Sequence, residues 1–207
     1  MIYTEEMLFD LREKVSSRMG KKRYIHTLGV EKTAEELGML FLPDKVMELR
    51  AAALLHDVAK EITEVFKNSL FDEIADSLSD EDLCVTEAYH SFLAPVIIKR
   101  DFSEFASHNI LSAVYNHTLG SPDMDLFSII IFISDYIEPN REYEHCKHVR
   151  DYLMSNISNT FSDSENFRTL ILSCIMVIEF TENFLAKQNK KIHSRSLITK
   201  NRLLSLI

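Results

Sequence analysis

Only four glycines and four prolines interrupt the 207 residues, and nowhere do apolar residues alternate with polar ones over the length of a strand. Both features predict helices throughout, and hence an all-α fold. Thr4 is placed to cap a first helix in which Met7, Leu11, Val15 and Met19 recur every fourth residue, with Gly20 as its end. A second helix opens at Lys21-Lys22-Arg23, carries His26 on its first turns and presents Tyr24, Leu28 and Leu37 as its apolar face. Pro43-Asp44 starts a third, whose stripe of Val46, Leu49 and Ala53 leads to His56. Thr63 to Leu83 is acidic and broken into short pieces, which reads as surface. A helix is expected over Thr86 to Arg100 around His90, with Pro95 kinking it or marking its true start. Ile110, Leu111, Val114 and Tyr115 carry the next to Asn116-His117-Thr118, where Gly120-Ser121-Pro122 stops it. Leu126 to Ile133 is almost wholly apolar and reads as a central buried helix ending in Ser134-Asp135-Tyr136-Ile137-Glu138-Pro139-Asn140-Arg141. Phe167 to Lys187, apolar nearly all round, and Ser194 to Leu204 complete the set. Without a repeat, linker or composition break, residues 1–207 read as one domain, with a core at about 18–150 and the helices of about 160–207 packed on it.

The balance of 23 basic against 32 acidic residues leaves a net charge of −9, which argues against a general nucleic-acid binder. A small polyanionic substrate stays compatible, because bound metals and a few local cations reverse the field inside a pocket. The longest uncharged apolar run, Thr169 to Ile178, is too short to cross a bilayer, and the first residues lack a basic-then-apolar leader. The expectation is a cytoplasmic protein with neither a membrane nor a nucleic acid as partner, homodimerisation being left open. Cys84, Cys146 and Cys174 are widely spaced and include no C-x-x-C pair, so neither a disulfide framework nor a structural zinc site is expected.

The chemistry centres on Ala51-Ala-Ala-Leu-Leu-His56-Asp57-Val58-Ala59-Lys60. An imidazole nitrogen of His56 can ligate a metal, and the two oxygens of Asp57 can bridge a pair of metals. In chain order the candidate ligands are His26, His56, Asp57, His90, His117 and Asp135, each on or at the end of a predicted helix. A bundle builds a metal site in this way, from side chains that converge in its core. The histidine and carboxylate mixture suits iron, manganese, zinc or nickel better than calcium or magnesium. Six ligands with one bridging aspartate are too many for one open catalytic ion and about right for two. Any one histidine taken alone is more often a hydrogen-bonded core or surface residue, and His108, His145 and His148 keep that reading. Asp135 is less ordinary, because an ionisable residue after so apolar a run is costly unless something pairs with it.

The order H…HD…H…H…D resembles the HD-domain superfamily of metal-dependent phosphohydrolases. The longer strings Lys22-Arg23-Tyr24-Ile25-His26-Thr27-Leu28-Gly29-Val30, Leu54-Leu55-His56-Asp57-Val58-Ala59-Lys60, His117-Thr118 and Asp135-Tyr136-Ile137-Glu138-Pro139-Asn140-Arg141 resemble its YqeK family. That resemblance implies an all-helical bundle with a metal site in its core. It also implies two metal ions, iron foremost, and symmetrical hydrolysis of diadenosine tetraphosphate to two ADP. His26, His56, Asp57 and Asp135 would hold one metal, and Asp57, His90 and His117 the other. Two departures stand out. His90 is followed by Ser91-Phe92, where the family has glycine and a small-residue turn. Ile192-His193-Ser194-Arg195 lacks the proline and acidic residue of the family's string.

Within that frame Asp57 and Lys60 are the expected catalytic residues. Asp57 would share a hydroxide-activating pair of metals, and Lys60 would contact a phosphate. Lys60 reads equally well as a solvent-exposed lysine at a helix end. Arg141 offers a planar fork for a second phosphate, Arg23 a third contact, and Asn201 marks the nucleoside end. Thr118 can bond a ligand or cap its helix. Glu138 and Asn140 can face substrate or simply shape the turn at Pro139. Two other readings are a phosphatase for nucleoside monophosphates or other nucleotides, and a nucleotide-binding regulatory protein whose metal is structural.

Overall fold

The computed structural model describes residues 3–62 and 64–207, and among these there are eleven α-helices and no strand. They are α1 (Glu5–Ser16), α2 (Lys21–Phe41), α3 (Val46–Leu55), α4 (Glu64–Ile74), α5 (Asp80–Leu83), α6 (Tyr89–Asp101), α7 (His108–Asn116), α8 (Leu126–Ile137), α9 (Glu144–Ser155), α10 (Asp163–Lys187) and α11 (Ser194–Leu204). Helix α3 is the axis, with α1, α2, α7 and α8 packed around it. Its Ala51-Ala52-Ala53-Leu54-Leu55 run is wholly buried, and the small side chains let the neighbouring helices approach from every side. Helix α6 packs on α7, while α10 lies against α8, α9 and α11. One buried apolar cluster links Tyr3 near the N-terminus to Leu203 near the C-terminus.

Local chemistry accounts for most element starts. Thr4 accepts the Met7 N–H, Ser107 the Ile110 N–H and Asp125 the Ser128 N–H. Ser162 and Glu165 form a reciprocal capping box at the head of α10. Several boundaries differ from expectation. Helix α1 ends at Ser16, buries Leu8 with Leu11 and Val15, and leaves Met19 beyond it. Gly20 therefore leads into α2 instead of ending α1. Pro95 neither starts nor ends α6, which runs through it from Tyr89, behind a 3-10 turn at Thr86–Ala88. Helix α8 continues past Ile133 to Ile137, so Asp135 sits on the helix itself.

Within the acidic stretch expected to be broken, Thr63 lies outside the described residues and Glu64–Ile74 forms a continuous helix. Helix α9 was not expected at all. Its buried stripe is only Cys146, Val149 and Leu153, three residues on an otherwise polar helix. Helix α10 begins earlier than Phe167 and is 25 residues long. By length and composition it suffices to cross a bilayer, contrary to the expectation drawn from its uncharged run, although Leu170, Ile171, Cys174 and Ile178 pack inward. At the head of α11, Asp82 from α5 receives Arg195 at 2.9 Å and lies 3.3 Å from buried His193.

Gly29 sets how closely α2 approaches the end of α8. A methyl group there would stand 2.1 Å from Glu138 Oε2 and 2.8 Å from Asn140 Nδ2. Glu138 cannot swing away freely, because it is buried and bonded to His26 and Asn140. Gly29→Ala should therefore destabilise the protein by about 1–3 kcal/mol, despite alanine's helix preference of about 1 kcal/mol. Urea denaturation of the two proteins checks the sign.

Candidate metal centre

His56 and Asp57 follow the last residue of α3, where the buried helix turns toward the junction of α2, α6, α7 and α8. The helix end carries them there: the Val58 N–H bonds to Leu55 O and the Lys60 N–H to Asp57 O, which coils the chain tightly at the site. His26 arrives from the first turns of α2, His90 from the start of α6, His117 from the C-cap of α7 and Asp135 from the last turn of α8. The structure thus brings all six expected ligands into one cluster.

Three of the imidazoles share one orientation. Their Nδ1 atoms face protein acceptors: His56 lies 2.6 Å from Ala53 O, His117 2.6 Å from Val114 O and His26 3.1 Å from Glu138 Oε1, whereas Lys60 Nζ sits beside both nitrogens of His90, at 3.0 and 3.2 Å. The Nε2 atoms of those three point into the shared space, and that of His90 joins them beside Asp57 and His117. Tying up one ring nitrogen orients the other as a ligand, an arrangement usual for metal-binding histidines.

The two oxygens of Asp57 divide the cluster. Oδ2 faces His56 Nε2 at 3.5 Å and His26 Nε2 at 3.8 Å. Oδ1 faces His90 Nε2 at 3.3 Å and His117 Nε2 at 3.8 Å. Asp135 Oδ1 joins the first side, 3.0 Å from His26 Nε2 and 3.8 Å from His56 Nε2. Within each side the imidazole nitrogens stand 3.3 Å and 3.0 Å apart. Ligands about 2.0–2.2 Å from a tetrahedral ion stand roughly 3.3–3.6 Å from one another, so donor spacings of 3.0–3.8 Å suit a bound first-row metal.

The cations expected to meet phosphate are also here, but on different atoms. Arg23 bonds Asp57 Oδ2 at 2.6 Å, and Arg141 bonds Asp135 Oδ1 at 2.6 Å. Lys60 meets His90 and is open to solvent on one side. Thr118 Oγ1 lies 3.2 Å from both His90 and His117. Glu138 is a buried partner of His26, and Asn140 braces Glu138 through its backbone and side-chain nitrogens at 2.7 and 2.9 Å. Asn201 does not join them. It is exposed on α11, about 140° around the helix from Ser196, which with Ile192 reaches the cavity beside Arg141. Sequence reasoning missed Arg150 of α9, whose guanidinium bonds the carbonyls of Ile137, Glu138 and Arg141 and so fixes the turn bearing the last two. An arginine on an unrecognised helix carried no signal for that role.

Burial alone would raise both carboxyl groups, yet both are held well below the usual range. His56 and His90 overcome it for Asp57, and Arg141 and His26 for Asp135. Burial would lower His26, but its bonds to Asp135 and Glu138 lift it to about 9. Burial, reinforced by His56, pushes His117 down to about 4, and burial with His117 pushes His90 well down. Lys60 is lowered by lost hydration, against the pull of Asp57 and Asp135.

A small cavity of about 140 Å³ opens beside His117, Asp135 and Arg141, between α8, α10 and α11. A larger groove of about 920 Å³ lies on the other flank, beside Arg23, His26 and Arg141.

Comparison with known proteins agrees with this geometry. The HD domain family matches residues 23–140. A Halalkalibacterium halodurans protein named bis(5'-nucleosyl)-tetraphosphatase, symmetrical, is 31% identical, over 92% of this chain and 93% of its own. A Bacillus subtilis protein of the same name is 29% identical, over 92% and 94%. A crystal structure from Clostridium acetobutylicum, described as a predicted HD superfamily hydrolase involved in NAD metabolism, superposes with a TM-score of 0.77 at 25% identity and covers 99% of both chains. The match spans all six clustered residues, and the relatives align almost end to end: the chain belongs to the HD-domain family, in its YqeK-like branch.

Proposed function

We propose that this protein is a bis(5'-nucleosyl)-tetraphosphatase that holds two metal ions, iron foremost, and cleaves diadenosine tetraphosphate symmetrically to two ADP. The observation that carries the reading is the division at Asp57, one oxygen toward His26 and His56 and the other toward His90 and His117. The names of the aligned relatives supply the substrate class. Two ions held there would activate water and draw charge from the phosphoanhydride. His26, His56, Asp57 and Asp135 would hold the first, and Asp57, His90 and His117 the second. Arg23 and Arg141, which neutralise Asp57 and Asp135 in this structure, offer their guanidinium groups to the polyphosphate. Lys60 orients His90 and adds a third cation at the solvent side. The base of one adenosine reaches the cavity walled by Tyr136, Ile178, Ile192 and Ser196.

Asp57→Ala should lose both ions and all hydrolysis, whereas His117→Ala should lose chiefly one ion. Elemental analysis of the purified variants distinguishes these outcomes; two ions per chain in D57A would contradict the bridge. Arg141→Lys keeps charge but loses the fork, so kcat/KM should fall roughly 10- to 100-fold with metal content unchanged.

Binding at His26 must displace a proton that Asp135 and Glu138 hold up to about pH 9. Affinity for that ion should rise about tenfold per pH unit from 7 toward 9 and then level off. Calorimetry in buffers of different ionisation enthalpy counts the released proton.

Complete digestion of diadenosine tetraphosphate should give ADP alone. Equal amounts of ATP and AMP would refute the symmetrical cut.

A further inference from the structure

The large groove beside Arg23, His26 and Arg141 continues outward to Lys21, Lys22 and Tyr143. Four of its lining side chains are cationic, Lys21, Lys22, Arg23 and Arg141, against the three carboxylates of Glu61, Glu138 and Glu142. Among the described residues no carboxylate pairs with Lys21 or Lys22, and the first turn of α2 has no acidic side chain to offset them. Two of the groove's three carboxylates are already engaged, Glu61 by the Gly20 N–H at 2.6 Å and Glu138 by His26 and Asn140.

At the outer end the aromatic ring of Tyr143 is 66% exposed. The ring is not loose. It lies parallel to His145, at 3° with centroids 5.6 Å apart, and His145 is anchored by the Tyr136 hydroxyl at 2.8 Å. Tyr136 follows Asp135 on α8, so the ring's support is anchored one residue from the cluster. A flat, pre-positioned aromatic at the end of a cationic track, with exposed Ile25 beside the same groove, is the combination that accepts a nucleobase following its phosphates.

We propose that this groove is the second nucleoside subsite, in which Lys21, Lys22 and Arg23 receive the far phosphates and Tyr143 stacks on the far base. The inference rests on the dinucleotide reading above and deepens it by assigning the half that leaves as ADP. Tyr143 is thereby a specificity-determining residue: it separates dinucleoside substrates from nucleotides with one base.

The test compares wild type, Tyr143→Ala and Tyr143→Phe as metal-loaded proteins. Calorimetry measures binding of diadenosine tetraphosphate carrying a methylene in place of its central bridging oxygen, and of adenosine tetraphosphate, which lacks the far nucleoside. Kinetics with unmodified diadenosine tetraphosphate run in parallel. Losing one base stack should weaken the dinucleotide by about tenfold in Y143A, through KM with kcat retained. Adenosine tetraphosphate should bind both proteins equally, and Y143F should behave as wild type. Equal dinucleotide affinity in wild type and Y143A overturns the subsite, as does an equal loss for both ligands. If Y143A selectively loses the dinucleotide analogue while no protein hydrolyses the natural compound, the subsite stands and the hydrolase reading falls. Symmetrical hydrolysis with a KM indifferent to Tyr143 overturns the subsite and leaves the hydrolase reading standing.

Discussion

Two carboxylates held away from water, Asp57 buried and Asp135 largely so, set the terms for everything around them. Such groups are costly inside a protein unless each meets compensating charge and hydrogen bonds. Here every helix that reaches the junction contributes: α2 gives Arg23 and His26, α6 gives His90, the end of α7 gives His117, and the turn after α8 gives Arg141. The outcome is a polar plug within one continuous apolar cluster. Its members depend on one another, since removing any one leaves a neighbour buried without its partner.

A second tier keeps the plug in shape. Glu138 holds His26, Asn140 holds Glu138, and Gly29 leaves the room both need against α2. Arg150 reaches across from α9 to three carbonyls of the same turn. Helix α9 thereby positions Arg141. The polar contacts of one short turn join α2, α8 and α9 at the point where orientation matters most for chemistry.

Arg141 lines both depressions that flank the cluster, the cavity toward α10 and α11 and the groove toward α2 and α9. A ligand with phosphates between two nucleosides matches that arrangement, since its charge would lie across the cations and its two ends would fall on either side. The net charge of −9 is no obstacle to a polyanion, because the field that matters is local, with Arg23, Lys60 and Arg141 at the site itself.

The sequence by itself determined the helical architecture, through scarce helix breakers and a side-chain cap at Thr4, and it identified the clustered histidines and aspartates. These are local signals: a cap acts within three residues, and an ionisable group after an apolar run announces its own cost. Helix α9 was illegible because three buried residues on a polar helix make too faint a stripe for periodicity to register. Asn201 was misplaced because spacing along a chain does not say which face of α11 turns inward. Only tertiary structure decided that the oxygens of Asp57 look opposite ways, that Arg23 and Arg141 lie on carboxylates, and that Arg150 and Tyr143 belong to the neighbourhood of the site. Each of these depends on the distance and angle between elements far apart in sequence, which are fixed by how buried side chains pack and not by any one segment's preference.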